Sequence, residues 1–257
     1  MAAARVEEES RERATDVTES EQRDAHVEGR YPEVNRRRGP LKDPGQFSAR
    51  GPISASGRNV RRFFGGSAPR VDKLVVGLGN PGDGYANTRH NVGFAVANRL
   101  GKRARAEFGI KSAESRIAEG SLGGIKIAIA RPQTFMNDSG RAVKKLLDRY
   151  RLDPADMLVV FDEVDLPLGS LRIRQSGGPG THNGMRSIVN AVGEGFPRIR
   201  VGVAPAQLRE VPDLAEYVLS PFDADEKALA EKSMDRAAEA AEVALRDLPR
   251  AMNQFNG

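Results

Sequence analysis

Lys73-Leu-Val-Val-Gly-Leu-Gly-Asn-Pro-Gly82, running on through Asp83-Gly-Tyr-Ala-Asn-Thr-Arg-His-Asn-Val-Gly93, decides how this chain begins to fold. The apolar run from Lys73 to Leu78 is short and ends at Asn80-Pro81-Gly82, which predicts a buried strand entering a tight turn. Val92, Ala95, Val96, Arg99 and Leu100 then recur at helical spacing. The glycines also fit G-x-G-x-x-G behind a strand, the pattern of a dinucleotide-binding turn. That turn needs its last glycine to open a helix whose N-terminus faces the pyrophosphate. Here Asp83 to Asn87 continue as loop, and Asp83 would repel phosphate. No convincing ribose-binding acid stands about twenty residues on, at the end of a second strand. No Lys-Ser/Thr pair follows the glycines either, so the turn is not a P-loop.

Ile117–Leu122 and Ile125–Ala130 flank Gly123-Gly124, a two-residue hairpin signal. Val143, Leu146, Leu147 and Tyr150 mark a helix, and Met157–Phe161 a second buried strand. Ser170–Arg174 alternates Leu171 and Ile173 with charges, as a half-exposed strand does. A Gly-rich loop follows, then a short helix carrying Ile188, Val189 and Val192, a strand over Ile199–Val203, and one long amphipathic helix from Asp225 to about Leu248. Strands alternating with helices, plus one hairpin, predict a single α/β domain over residues 71–257: a mixed sheet flanked by helices.

Composition bounds the chemistry. The chain has 257 residues, 39% of them hydrophobic and 29% charged, with a mean hydropathy of −0.50, which predicts a globular domain plus a segment outside its core. Residues 1–30 are acidic and residues 31–70 strongly basic, so most of the net charge of +5 lies in a predicted disordered N-terminal extension, 1–70. That extension reads either as a solvated tail or as an electrostatic arm for RNA, with Phe63-Phe64 beside Arg61-Arg62 available for base stacking. Neither a secretory signal nor a membrane span is present, so the expected compartment is the cytoplasm. With no cysteine, disulfides, thiol nucleophiles and thiolate metal sites are excluded. Only His26, His90 and His182 remain for imidazole chemistry, too few for a histidine-rich metal cluster.

Within the predicted domain, His90 lies just ahead of a helix, and Asp162 where the chain leaves a buried strand at the carboxyl end of the sheet, the usual place for sites in open α/β folds. If the fold joins them, the carboxylate fixes the imidazole tautomer and His90 becomes a general base. Asn80, Asn91, Asn137 and Asn183 each suit a turn or helix cap, Asn137 especially. As a set beside a His and an Asp, their neutral amides would instead hold ester, ribose and peptide groups. Gly177–Gly184 leads into a helix, with Arg172, Arg174 and Arg200 on flanking strands. It reads equally as an anion cradle and as a flexible loop with surface arginines.

Taken together, Val76–Gly82, Tyr85–Gly93, Pro132–Asn137, Asp162–Gly169 and Thr181–Gly184, with the C-terminal Ala251–Asn256, resemble the bacterial-type peptidyl-tRNA hydrolase family in order and spacing. The resemblance implies a monomeric α/β domain (a phosphorylase/hydrolase-like sandwich), no cofactor, no metal, and water as the nucleophile acting on peptidyl-tRNA. It implies His90 as general base, Asp162 as its orienting carboxylate and Asn80 beside the scissile ester. Asn137 and Asn183 would hold substrate and water, Met136 and Tyr85 would line the site, and Arg174 with Arg200 would clamp the tRNA 5′-phosphate. Thr181 stands where the family often has Gly. The competing expectation is a non-catalytic RNA-binding homologue acting as a splicing or ribonucleoprotein partner.

Overall fold

The computed structural model describes residues 71–205 and 213–256. The expected extension, 1–70, therefore lies outside the described residues. Seven strands, β1 (Lys73–Gly77), β2 (Ile110–Ser112), β3 (Ser115–Leu122), β4 (Ile125–Pro132), β5 (Met157–Pro167), β6 (Leu171–Arg174) and β7 (Arg198–Ala204), form one mixed sheet in the order β2-β3-β4-β1-β5-β7-β6. β1 pairs parallel with β4 and β5, and β5 with β7, while β2, β3 and β6 are added antiparallel. Val75, Val76, Val159 and Val160 are sealed off on both faces, which is why these central strands read as unbroken apolar runs.

The helices are α1 (Val92–Arg103), α2 (Ser139–Tyr150), α3 (Asn183–Val192), α4 (Leu214–Leu219), α5 (Lys227–Arg246) and α6 (Leu248–Phe255). One face of the sheet packs Val96 and Leu100 of α1 and the alanine stripe of α5 over Val75, Ile127 and Ile129. The other packs Val143, Leu146 and Leu147 of α2 and Met185 and Ile188 of α3 over Leu74, Val76 and Phe161. Each fully buried Val, Leu or Ile contributes about 1.5–3 kcal/mol, so the two layers fix the central strands at whose carboxyl ends the site is built.

The predicted α/β architecture and hairpin are present; Gly123 and Gly124 take positive φ of 55° and 86°, as a primed hairpin turn requires. Three features depart from the expectation. The long C-terminal helix ends at Arg246, close to the expected Leu248, but an unexpected further helix, α6, follows: the Asp247 carboxylate accepts the Arg250 N–H at 2.9 Å and caps it, with Pro249 inside its first turn. Strand β2 and helix α4 were not predicted: three residues and six residues carry too little periodicity to register. The chain also leaves Gly82 with φ 105° into a 3-10 turn, Asp83–Tyr85, and α1 begins only at Val92, which confirms that the glycine motif does not open a helix. Gly93 serves close approach instead. A Cβ there would lie 2.4 Å from both Leu78 N and Val160 O, so α1 could not seat its first turn against β1 and β5.

Candidate active site

The site forms beyond the carboxyl ends of β1, β4 and β5, where the chain passes from one side of β1 to the other, the switch point at which open α/β sheets present a crevice. Asn91 builds its first wall. Its Oδ1 accepts the Asn80 N–H at 2.8 Å and its Nδ2 donates to the Asn80 carbonyl at 3.0 Å, so Asn91 fixes the loop after β1 and is itself buried. Asn80 Oδ1 then accepts the Met136 N–H at 2.8 Å. With that oxygen occupied, the Asn80 NH₂ is the end left to donate into the cleft. The four asparagines thus divide: Asn91 is a structural pin, and Asn80, Asn137 and Asn183 line the cleft. The cap expected of Asn137 is not made, for Asn137 sits in a 3-10 turn, Met136–Asp138, and α2 begins behind Asp138.

Asp162, on β5 and 2% exposed, lies between two imidazoles. His90 Nδ1 is 3.0 Å from both of its carboxylate oxygens, and His182 Nε2 is 3.0 Å from Oδ1. The tautomers follow from the backbone. His182 caps α3 by accepting the Met185 N–H on Nδ1 at 3.2 Å, so in the neutral ring the proton is on Nε2 and is donated to Asp162. A ring held this way has no lone pair to offer a metal, although the three side chains bring ligand-type atoms within 4.8 Å of one another. His90 donates its Nδ1 proton to the same carboxylate, which leaves Nε2 as the basic nitrogen. Burial works against the charge on Asp162, but His182, and after it His90, outweigh burial and hold the carboxyl below its ordinary range. His182 is the residue that sequence reasoning passed over. The Thr181-His182-Asn183-Gly184 junction gave no signal for it, because Thr181 and Asn183 on either side are the better N-caps by type.

These groups face a cleft of about 480 Å³ whose remaining walls include Phe135, Leu214 and Leu219, all strongly exposed apolar side chains, with Thr181 at the edge. α4 supplies one wall and is tied to the His90 turn by Arg89. That guanidinium, 2% exposed, donates to the Ser220 hydroxyl and the Pro221 carbonyl, each at 2.6 Å, pairs with Glu226 at 2.5 Å and stacks on Tyr217 at 4.1 Å. Tyr85, Arg174 and Arg200 do not line this cleft. Arg200 pairs with Glu163 at 2.5 Å, beside Asp162. Arg174 is exposed and stands opposite Arg198, whereas Arg172 is the residue opposite Arg200. Arg198, not singled out from the sequence, is buried and pins the glycine loop, donating to the carbonyls of Gly177 at 2.5 Å, Gly178 at 3.1 Å and Glu194 at 2.9 Å.

The peptidyl-tRNA hydrolase family profile matches residues 74–257. A peptidyl-tRNA hydrolase of Roseiflexus sp. (strain RS-1) is 50% identical over 188 residues, covering 71% of this chain and 85% of the relative. One of Chloroflexus aurantiacus (strain ATCC 29366 / DSM 635 / J-10-fl) is 48% identical over 188 residues, covering 71% of this chain and 98% of the relative. Among solved structures, the peptidyl-tRNA hydrolase of Acinetobacter baumannii superposes with a TM-score of 0.67 at 32% identity, over 72% of this chain and 94% of that one. The chain belongs to the peptidyl-tRNA hydrolase family.

Proposed function

We propose that this chain hydrolyses the ester between a peptide, or an N-blocked amino acid, and its tRNA, releasing free tRNA and peptide and so recycling drop-off products of translation, and that His90 is the general base. The observation that carries this is the fixed tautomer of His90: Nδ1–H is committed to a buried carboxylate, and Nε2 is left to take a proton. In the reaction, Nε2 removes a proton from water as its oxygen attacks the ester carbonyl. The Asn80 NH₂ stabilises the oxyanion, and His90 returns the proton to the departing ribose hydroxyl. A positioned base contributes about two to four powers of ten and an oxyanion donor about two to three, and an ester with an alcohol leaving group needs no covalent nucleophile.

Asn137 and Asn183 hold substrate and water on this reading. Asn183 Oδ1 accepts from Arg186 at 2.8 Å, which orients its amide. Met136 is a wall for the 3′ end of the tRNA, joined by Tyr85 once substrate is bound, and Arg174 and Arg200 meet the tRNA 5′-phosphate, Arg200 exchanging or sharing its Glu163 partner. Residues 71–257 act as one monomeric unit without metal or cofactor, with 1–70 an appendage, in the cytoplasm; no described helix is long and apolar enough to cross a membrane. The alternative, an RNA-binding homologue without catalysis, draws no support from the family match or the relatives.

Single-turnover cleavage of N-blocked aminoacyl-tRNA in H₂¹⁸O tests the mechanism. Attack by water puts the label in the released carboxylate and none in the ribose. Label in the ribose, or a peptide adduct retained on the protein, would contradict it.

A further inference from the structure

A second cavity, of about 370 Å³, is lined by the Asn80–Asp83 loop and shares Asn80 with the catalytic cleft. Arg116 of β3 and Arg131 of β4 line it. The two are directly opposite partners in the antiparallel pair, so their side chains rise from the same face of the sheet. Like charges in that relation destabilise a sheet, and a neighbouring carboxylate would relieve them. Among the described residues neither arginine has an ion-pair partner or a side-chain hydrogen bond. Arg131 stacks on Phe108 at 4.3 Å and lies 5.7 Å from Phe94, which accounts for its orientation but satisfies none of its N–H groups. Its Nε is buried with no partner. Burial, and then the charge of Arg116, oppose the charge on Arg131. Two guanidiniums, that of Arg131 held by its stack on Phe108, thus line a cavity that shares Asn80 with the catalytic cleft.

We propose that Arg116 and Arg131 form an anion site that receives a backbone phosphate of the RNA strand near the scissile end of the substrate. This rests on the hydrolase reading. The planar forks of two arginines match a phosphodiester, and phosphate is the one anion present in every peptidyl-tRNA, whatever its peptide. Asp83 also lines the cavity and opposes an anion there, and the two arginine charges outnumber its one.

The test uses the full chain and two substrates: an N-blocked aminoacyl-tRNA, and the same N-blocked amino acid esterified to adenosine, which carries no phosphate. In Arg116→Gln, which removes no aromatic stack, and in Arg131→Gln, the ratio of kcat/KM on tRNA to kcat/KM on the adenosine ester falls about tenfold. The slope of log KM for tRNA against log salt becomes shallower by about 0.7 for one single-strand phosphate. An unchanged ratio and slope in Arg116→Gln, or equal losses on both substrates, overturns the site. A loss that appears only with acidic peptides also overturns it, by assigning the arginines to the peptide. Failure of the hydrolase reading looks different: the parent protein turns over neither substrate.

Discussion

Replacing Asp162 by Asn is isosteric, yet the hydrogen-bond geometry predicts that it inverts the tautomer of His90. The carboxylate accepts two N–H groups, one from each histidine, at 3.0 Å. With the amide oxygen at the Oδ1 position beside His182, the NH₂ takes the Oδ2 position 3.0 Å from His90 Nδ1, where two donors face each other unless one imidazole turns from donor to acceptor. His182 cannot, because Met185 N–H already claims its Nδ1. The Asn oxygen therefore serves His182, the Asn NH₂ donates to His90 Nδ1, and the His90 proton moves to Nε2, the nitrogen that must be free to act. A positioned general base supplies about 10² to 10⁴ in rate, so kcat in Asp162→Asn falls by about that factor, or about 3–5 kcal/mol in the barrier. The fold stays intact, as checked by circular dichroism. Adding His182→Ala releases the constraint: the Asn oxygen can then accept His90 Nδ1–H, and single-turnover peptide release recovers about tenfold over Asp162→Asn alone, despite a lost helix cap worth about 1 kcal/mol. If Asp162→Asn keeps a tenth or more of the parental kcat, or the second substitution lowers activity further, the tautomer argument is refuted.

Further outcomes follow from the same packing. The Tyr150 hydroxyl is buried and donates to Glu119 at 2.7 Å, and burial first, then that bond, push its pKa from 10.0 up to about 12. A raised folded value means that this stability is fully present below pH 10 and is lost as the pH climbs towards 12. The full rise corresponds to at most about 2.7 kcal/mol, and chemical denaturation of Tyr150→Phe should show a correspondingly flatter alkaline profile. Equal slopes in the two proteins would show that the hydroxyl titrates alike folded and unfolded. Arg198→Met strands the carbonyls of Gly177, Gly178 and Glu194 and should cost about 3 kcal/mol by urea melts; a loss under about 0.5 kcal/mol would mean water replaces the guanidinium freely. Deleting residues 1–70 should leave turnover of N-blocked aminoacyl-tRNA within about twofold, and a shallower salt dependence alone would assign the basic stretch to RNA attraction. Loss of turnover on deletion would make the extension part of the working unit.

Much of the fold was legible because buried parallel strands and amphipathic helices write their burial directly into the sequence. Val75-Val76 and Val159-Val160 are apolar without alternation because helices cover both faces, and the Gly123-Gly124 turn needs positive φ at both positions. What failed to register was short or locally capped. The long helix ends where its amphipathic pattern does, but the eight-residue α6 beyond it rests on the Asp247 cap, which the apolar pattern does not reveal. In the site, His90 and Asp162 stand 72 positions apart, so their meeting depends on β1 and β5 being neighbours in the sheet, which no local pattern encodes. His182 was harder still. Its importance comes from doing two things at once, capping α3 through Nδ1 and holding Asp162 through Nε2, and the second depends on where α3 docks. Arg198 and Arg200 differ by two positions and share a strand face, yet one pins a loop and the other meets Glu163 at the site; burial separates them, and spacing does not.

The most direct measurement is release of peptide from N-blocked aminoacyl-tRNA by the full chain, with His90→Ala assayed beside it at matched tRNA affinity. If His90 is the base of the ester hydrolase, His90→Ala binds tRNA as the parent does and loses about two to four powers of ten in kcat. Equal turnover by the two proteins, or binding of tRNA by the parent with no hydrolysis above the His90→Ala level, would contradict it.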